Sequence, residues 1–139
     1  MDMGCNSHLT IEYKRYKHDN SWACFALDVD ESRDYLLYSF MANVRNYWEK
    51  EIKPVAEPRG IPSDASWQVK DFFERMGSDG HSHSWLSTKE FKEAIEKTLV
   101  ERKDGGGVDN CYEIILWLME KIETKYGKQN CRLVFCFDN

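Results

Sequence analysis

Two short stretches carry most of the side chains capable of chemistry: Arg59-Gly60-Ile61-Pro62-Ser63-Asp64 and Asp79-Gly80-His81-Ser82-His83-Ser84-Trp85. His81 and His83 stand two residues apart, so an extended backbone would point both imidazoles to one side, with Asp79 joining them. Such a set binds a transition metal or supplies a general base. Zinc takes three or four protein ligands, and no later His or Cys cluster completes the set, His8 and His18 lying near the N-terminus. Ser82 and Ser84 adjoin histidines, but the GxSxG elbow of a serine hydrolase is absent. Asp64 and Asp79 are candidates for a carboxylate pair, although both also suit turns and caps.

A set with fewer geometric demands is Arg45, Arg59, Asp79, His81, His83 and Trp85. Guanidinium groups make paired contacts to phosphate or carboxylate, imidazoles add switchable donors, and an indole face stacks on a base. These six residues form the expected binding site for a small anionic, nucleotide-like ligand. No catalytic residue, metal or cofactor is assigned.

The elements that must position them follow from periodicity. Leu9, Ile11 and Tyr13 alternate with Thr10, Glu12 and Lys14, the two-residue period of a half-buried strand. After a turn at Asp19-Asn20-Ser21, the apolar run Trp22 to Leu27 suits a second strand paired as a hairpin and closed by Asp28 to Glu31. From Asp34 onward, Leu37, Phe40, Met41, Val44 and Trp48 recur at helical steps. Pro54, Pro58 and Pro62 make the next stretch a loop. Ser66 caps a short helix whose face is Val69, Phe72, Phe73 and Met76, with Gly77 as its stop. The segment from Asp79 to Trp85 is expected to be the second polar loop flanking that helix.

Ser87 and Glu90 have capping-box spacing, and Leu86 and Phe91 flank them as a staple, so a helix begins at Thr88 with Phe91, Ala94, Ile95 and Leu99 on its core face. Asp104-Gly105-Gly106-Gly107 is a connector without phosphate-loop spacing. Cys111, Ile114, Ile115, Leu118, Met119 and Ile122 then trace a long helical stripe ended by Tyr126-Gly127. Leu133 to Phe137 is apolar at every position, as for an inner strand covered on both faces. The expected fold is α+β, one domain over 1–139. Its N-terminal hairpin and C-terminal strand share one antiparallel or mixed sheet, with about four helices between them.

The chain has 139 residues with 42% hydrophobic, and its 19 Lys and Arg against 24 Asp and Glu give a net charge of −5. At this length one core suffices without staples. The acidic balance argues against holding duplex nucleic acid by phosphate neutralisation. No apolar run is long enough for a membrane span or a secretory leader, so a cytoplasmic location is expected. Cys5, Cys24, Cys111, Cys131 and Cys136 form an odd set without a CxxC pair and are expected to be reduced, mostly buried thiols.

The chain also resembles a family of small proteins carried largely by bacteriophages and prophages. The resemblance lies in Pro54-Val55-Ala56, Pro58-Arg59-Gly60-Ile61-Pro62 with Asp64-Ala65-Ser66, and Asp79-Gly80-His81-Ser82-His83-Ser84-Trp85-Leu86-Ser87. Arg33-Asp34-Tyr35, Val44-Arg45-Asn46 and Arg132-Leu133-Val134-Phe135 with Phe137-Asp138 extend it to about half of the chain. Trp67 stands where the family commonly has proline, and Lys89 to Tyr126 matches little of the pattern. The resemblance implies a phage accessory role, such as countering host defence, and no particular enzymatic mechanism. The leading expectation is therefore a non-enzymatic protein that sequesters the ligand, as a homo-oligomer, in the host cytoplasm. One alternative is an interaction module whose exposed aromatics and Asn110 to Tyr126 helix cover a host protein. Another is a metal-dependent hydrolase centred on Asp79, His81 and His83.

Overall fold

A computed structural model describes residues 4–15, 20–27, 33–102 and 105–139. Its first strand, β1 (Ser7–Tyr13), pairs antiparallel with β2 (Ala23–Ala26), with Thr10 opposite Ala26 and Tyr13 opposite Ala23. The hairpin follows from the alternating apolar residues of one strand meeting the short apolar run of the other. The closure at Asp28 to Glu31 lies outside the described residues, as do Asp19 of the expected turn, His18 and Asp104.

Helix α1 (Tyr35–Ala42) starts where the Asp34 carboxylate accepts the Leu37 N–H at 3.0 Å. It is shorter than its apolar spacing suggests. Asn43 adopts a left-handed conformation, φ 60°, and ends it, so Val44 and Trp48 are not helical. They still return to α1: Val44 is buried and the Trp48 indole donates to the Ser39 hydroxyl at 2.9 Å. The helical spacing thus recorded a shared packing surface, reached by a turn.

The proline stretch is a loop, and α2 (Trp67–Met76) follows, capped by the Ser66 hydroxyl accepting the Val69 N–H. A single 3₁₀ turn (Gly77–Asp79) leads into β3 (Gly80–Ser87), a strand where a loop was expected. Polar residues dominate β3 because it is an edge strand, with only Ser84 and Leu86 buried. Helix α3 (Thr88–Glu101) starts in the expected reciprocal capping box of Ser87 and Glu90. Its fourth core position is Thr98. That hydroxyl is buried because it donates to the Ala94 carbonyl at 2.8 Å, whereas Leu99 is 39% exposed.

Helix α4 (Asn110–Tyr126) buries Tyr112, Ile115, Met119 and Ile122. Of the expected stripe Ile115, Met119 and Ile122 are buried, and Cys111 and Leu118 half-buried, but Ile114 is 63% exposed because Tyr112 takes the inward place at the start of the helix; Trp117, outside that stripe, is 59% exposed. Strand β4 (Cys131–Asp138) is buried from Cys131 to Phe137.

The sheet order is β2-β1-β4-β3, antiparallel throughout, with the C-terminal strand beside the N-terminal one, giving an α+β fold. Leu9, Ile11, Leu133, Phe135 and Phe137 pack with α1, α3 and α4 in the main core, while Val134 and Cys136 meet Val69 and Phe73 of α2 on the other face. The all-apolar run of β4 is explained by helices covering it on both sides. All five cysteines are free thiols; Cys5, Cys131 and Cys136 are buried and the other two partly so. No helix among the described residues is long and apolar enough to cross a membrane.

Candidate functional site

In β3 the chain spends one extra residue. His81 pairs with Phe137 and Ser84 with Phe135, so three steps on β3 match two on β4. Ser82 absorbs this irregularity with a left-handed φ of 54°. The bulge removes the alternation that would hold both imidazoles on one side. His83 packs edge-on against the Phe73 ring of α2, centroids 5.6 Å apart. Gly80 leaves room for it, since a Cβ there would approach His83 Nε2 to 3.3 Å. Burial, with the neighbouring His81, pushes the His83 imidazole below its ordinary value.

His81 and Asp79 line a different space, an open hollow of about 690 Å³ at the end of the sheet. Its other walls are His8 from β1, Arg75 and Met76 from α2, Ser78 from the 3₁₀ turn, and Asp138 with Asn139 from the end of β4. Antiparallel pairing of β1 with β4 sets His8 opposite Cys136, two residues from Asp138. His8 Nε2 lies 2.8 Å from the Asp138 carboxylate, leaving the other ring nitrogen outside that contact. Burial works against charge on Asp138, but the Asn6 backbone N–H at 2.9 Å and His8 outweigh it and hold the carboxyl below its usual range. His81 Nδ1 meets the Ser82 hydroxyl at 3.0 Å. Arg75 bridges to Asp71 at 2.6 Å from a largely exposed position. The hollow thus combines two imidazoles, a guanidinium, two carboxylates, a hydroxyl and a thioether.

Arg59 and Trp85 meet each other elsewhere. The Arg59 guanidinium carbon lies 4.3 Å from the Trp85 ring centroid, and the group donates to the Trp85 carbonyl at 3.0 Å and to both Glu90 oxygens at 2.9 and 2.6 Å. Backbone bonds from Gly60 to the His83 carbonyl and from Arg59 to the Ser84 hydroxyl complete the attachment. These contacts seal the β3 edge with the proline loop and fasten both to the start of α3. Arg45 stands apart as well, 5.1 Å from the Tyr35 ring centroid. Of the six expected residues, the structure brings Asp79 and His81 to one hollow and Arg59 and Trp85 to one clip.

Asp64 does not approach Asp79 as a carboxylate pair partner. It accepts from the Trp22 indole and from Arg132, each at 3.0 Å, and these bonds hold its carboxyl below the ordinary value. Arg132 also meets the fully buried Glu12 at 2.7 Å, and Glu12 accepts the Ser66 backbone N–H at 2.6 Å. Asp64 and Ser66 of the proline motif therefore anchor α2 to the sheet. Among the described residues, no three His, Cys, Asp or Glu side chains are grouped to hold a metal ion, so the metal-dependent alternative has no ligand set there. Sequence reasoning passed over His8, Arg75, Ser78 and Asp138; the available signal was the return of the last strand to the first, which carries Asp138 toward His8. No protein-family model, no curated protein and no solved structure matches this chain.

Proposed function

We propose that the protein binds and sequesters a small anionic, nucleotide-like ligand in the hollow at the end of the sheet. The observation that carries this is the meeting of Asp79 and His81, two of the residues nominated from sequence, with His8, Arg75 and Asp138 around one concavity. Its volume of about 690 Å³ falls within the roughly 300–1,000 Å³ of small-molecule sites. Arg75 and the imidazoles supply donors for a phosphate, Asp79 accepts from ribose or base donors, and Met76 offers a polarizable contact for a ring. Arg59, Trp85 and His83 act as scaffold for that site. The resemblance to phage-borne proteins supports an accessory role in a host cytoplasm, where capture of a nucleotide signal would blunt a defence.

Calorimetric titration with AMP, cyclic nucleotides and ADP-ribose tests this. The expected result is saturable heat with at least one of them, weakened about tenfold or more by His81→Ala or Arg75→Ala, a loss of about 1.4 kcal/mol or more. Folded protein that gives no heat with any of them overturns the reading. Exposure of Ile114 and Trp117 on α4 favours a second reading, an interaction module covering a host protein. Co-purification that yields a stoichiometric partner, lost in Trp117→Ser, would support it; recovery of the protein alone counts against it.

A further inference from the structure

We infer that the sheet-end hollow cleaves a ribonucleotide phosphodiester, with His81 as proton acceptor and His8 as proton donor. This rests on the ligand reading above and replaces simple holding by turnover. Two imidazoles from different strands line the same hollow, each with one nitrogen engaged, His8 Nε2 by Asp138 and His81 Nδ1 by Ser82. That leaves His8 Nδ1 and His81 Nε2 to act on a substrate held in the hollow, one as acid and one as base. When protonated, His8 forms an ion pair with Asp138 at 2.8 Å, and the Asn6 backbone fixes that carboxylate in turn. Asp138 is therefore a positioning residue for the donor. Arg75 and Asp79 also line the hollow; the guanidinium would meet the charge of the phosphate and the carboxylate would accept from ribose hydroxyls.

The step balances without a co-reactant. His81 takes the proton of the ribose 2′-hydroxyl, whose oxygen bonds to phosphorus. The bond from phosphorus to the 5′-oxygen breaks, and that oxygen takes the proton of His8. The products are a 2′,3′-cyclic phosphate and a free 5′-hydroxyl. A DNA linkage lacks the attacking oxygen and stays intact.

The test incubates the full-length chain with the dinucleotide UpA and separately with its deoxy counterpart, following products by chromatography. The deoxy dinucleotide is also titrated calorimetrically, as a ligand that binds without turnover. The expected result is cleavage of UpA to the cyclic phosphate, none of the deoxy form, and a fall of about 100-fold or more in His81→Ala and His8→Ala. His8→Gln, which keeps a partner for Asp138, serves if His8→Ala does not fold. Asp138→Asn should lower turnover with little change in binding of the deoxy form. Binding of the deoxy form without cleavage of UpA overturns this inference and leaves the ligand reading standing. Neither binding nor cleavage overturns this inference, and overturns the ligand reading as well when AMP, cyclic nucleotides and ADP-ribose also give no heat; cleavage unchanged in folded His8 and His81 variants overturns the assignment of these residues.

Discussion

The Arg59 clip makes the sharpest quantitative demand on the structure. Arg59→Ala removes a paired contact to Glu90, a hydrogen bond to the Trp85 carbonyl and a cation–π contact to the same ring. The Arg59 side chain is 28% exposed, so the ion pair is discounted for solvent to about 0.5–1 kcal/mol. The ring contact adds about 0.5–1 kcal/mol, and the carbonyl bond about 1 kcal/mol. Because contacts that share one side chain are not additive, the expected loss is about 2 kcal/mol, or roughly 6–8 °C in Tm for a chain of this size. Urea unfolding of wild type, Arg59→Ala, Glu90→Gln and the double variant gives the coupling energy, expected at about 1 kcal/mol. Burial opposes charge on Glu90, but Arg59 and the Ser87 backbone N–H prevail and hold its carboxyl below the ordinary range. A depressed carboxyl stabilises the fold fully above its unfolded value of about 4.3 and loses that contribution as pH falls through the folded value. The coupling should therefore be present at neutral pH and be lost in acid, as pH falls through the depressed folded value of Glu90. An Arg59→Ala variant within about 0.3 kcal/mol of wild type at neutral pH, or a coupling unchanged in acid, refutes the clip.

Three further outcomes follow from the same geometry. Glu12→Leu leaves Arg132 without its buried carboxylate and the Ser66 N–H without its acceptor; a loss of about 3–5 kcal/mol in urea unfolding is expected, and a loss below about 1 kcal/mol would contradict it. Burial pushes the Cys131 and Cys136 thiols up to about 12, so iodoacetamide should leave both unmodified in the folded protein near neutral pH and alkylate them in denaturant. Rapid native alkylation of either, read by mass spectrometry, goes against the packing. Ser87→Ala opens the capping box of α3 and should cost about 1 kcal/mol, measurable by thermal unfolding; an unchanged midpoint would mean that the cap is not formed.

Much of the fold was legible because local chemistry and tertiary packing agree. Ser66, Ser87 with Glu90, and Gly77 mark helix ends by side-chain hydrogen bonds and backbone freedom that neighbours do not alter. The unbroken apolar run of β4 reflects faces that are both buried, whereas the alternation of β1 suggests a half-buried strand and the structure covers its polar face too: Thr10 bonds to the Val134 carbonyl and Glu12 pairs with Arg132, and both are fully buried. Where a distant contact decides, sequence misleads. Trp48 lies at helical spacing from Val44 but reaches α1 by a turn, and Asp79 to Trp85 looks like a loop because an edge strand needs few apolar residues.

The site shows the same division. Pairing of the first strand with the last, the two inner strands of the sheet, brings His8 to Asp138 across 130 residues, a proximity that no local spacing records. The bulge at Ser82 parts His81 from His83, which strict alternation would have joined. The most polar motif, around Arg59 and Trp85, proves to be spent on fastening a loop. Arginine beside an aromatic ring and a carboxylate reads equally well as ligand chemistry or as a clip, and only the position of Glu90 at the start of α3 decides between them.

Ligand is proposed to enter the hollow walled by His8 and His81. Side-chain NMR of the uniformly ¹⁵N-labelled protein, titrated with AMP, examines it residue by residue. Saturable shifts of the His8 and His81 ring resonances, with the Trp85 indole and Arg59 guanidinium signals unmoved, are the predicted result. Shifts confined to Trp85 and Arg59, or still histidine rings at saturating nucleotide, would contradict it.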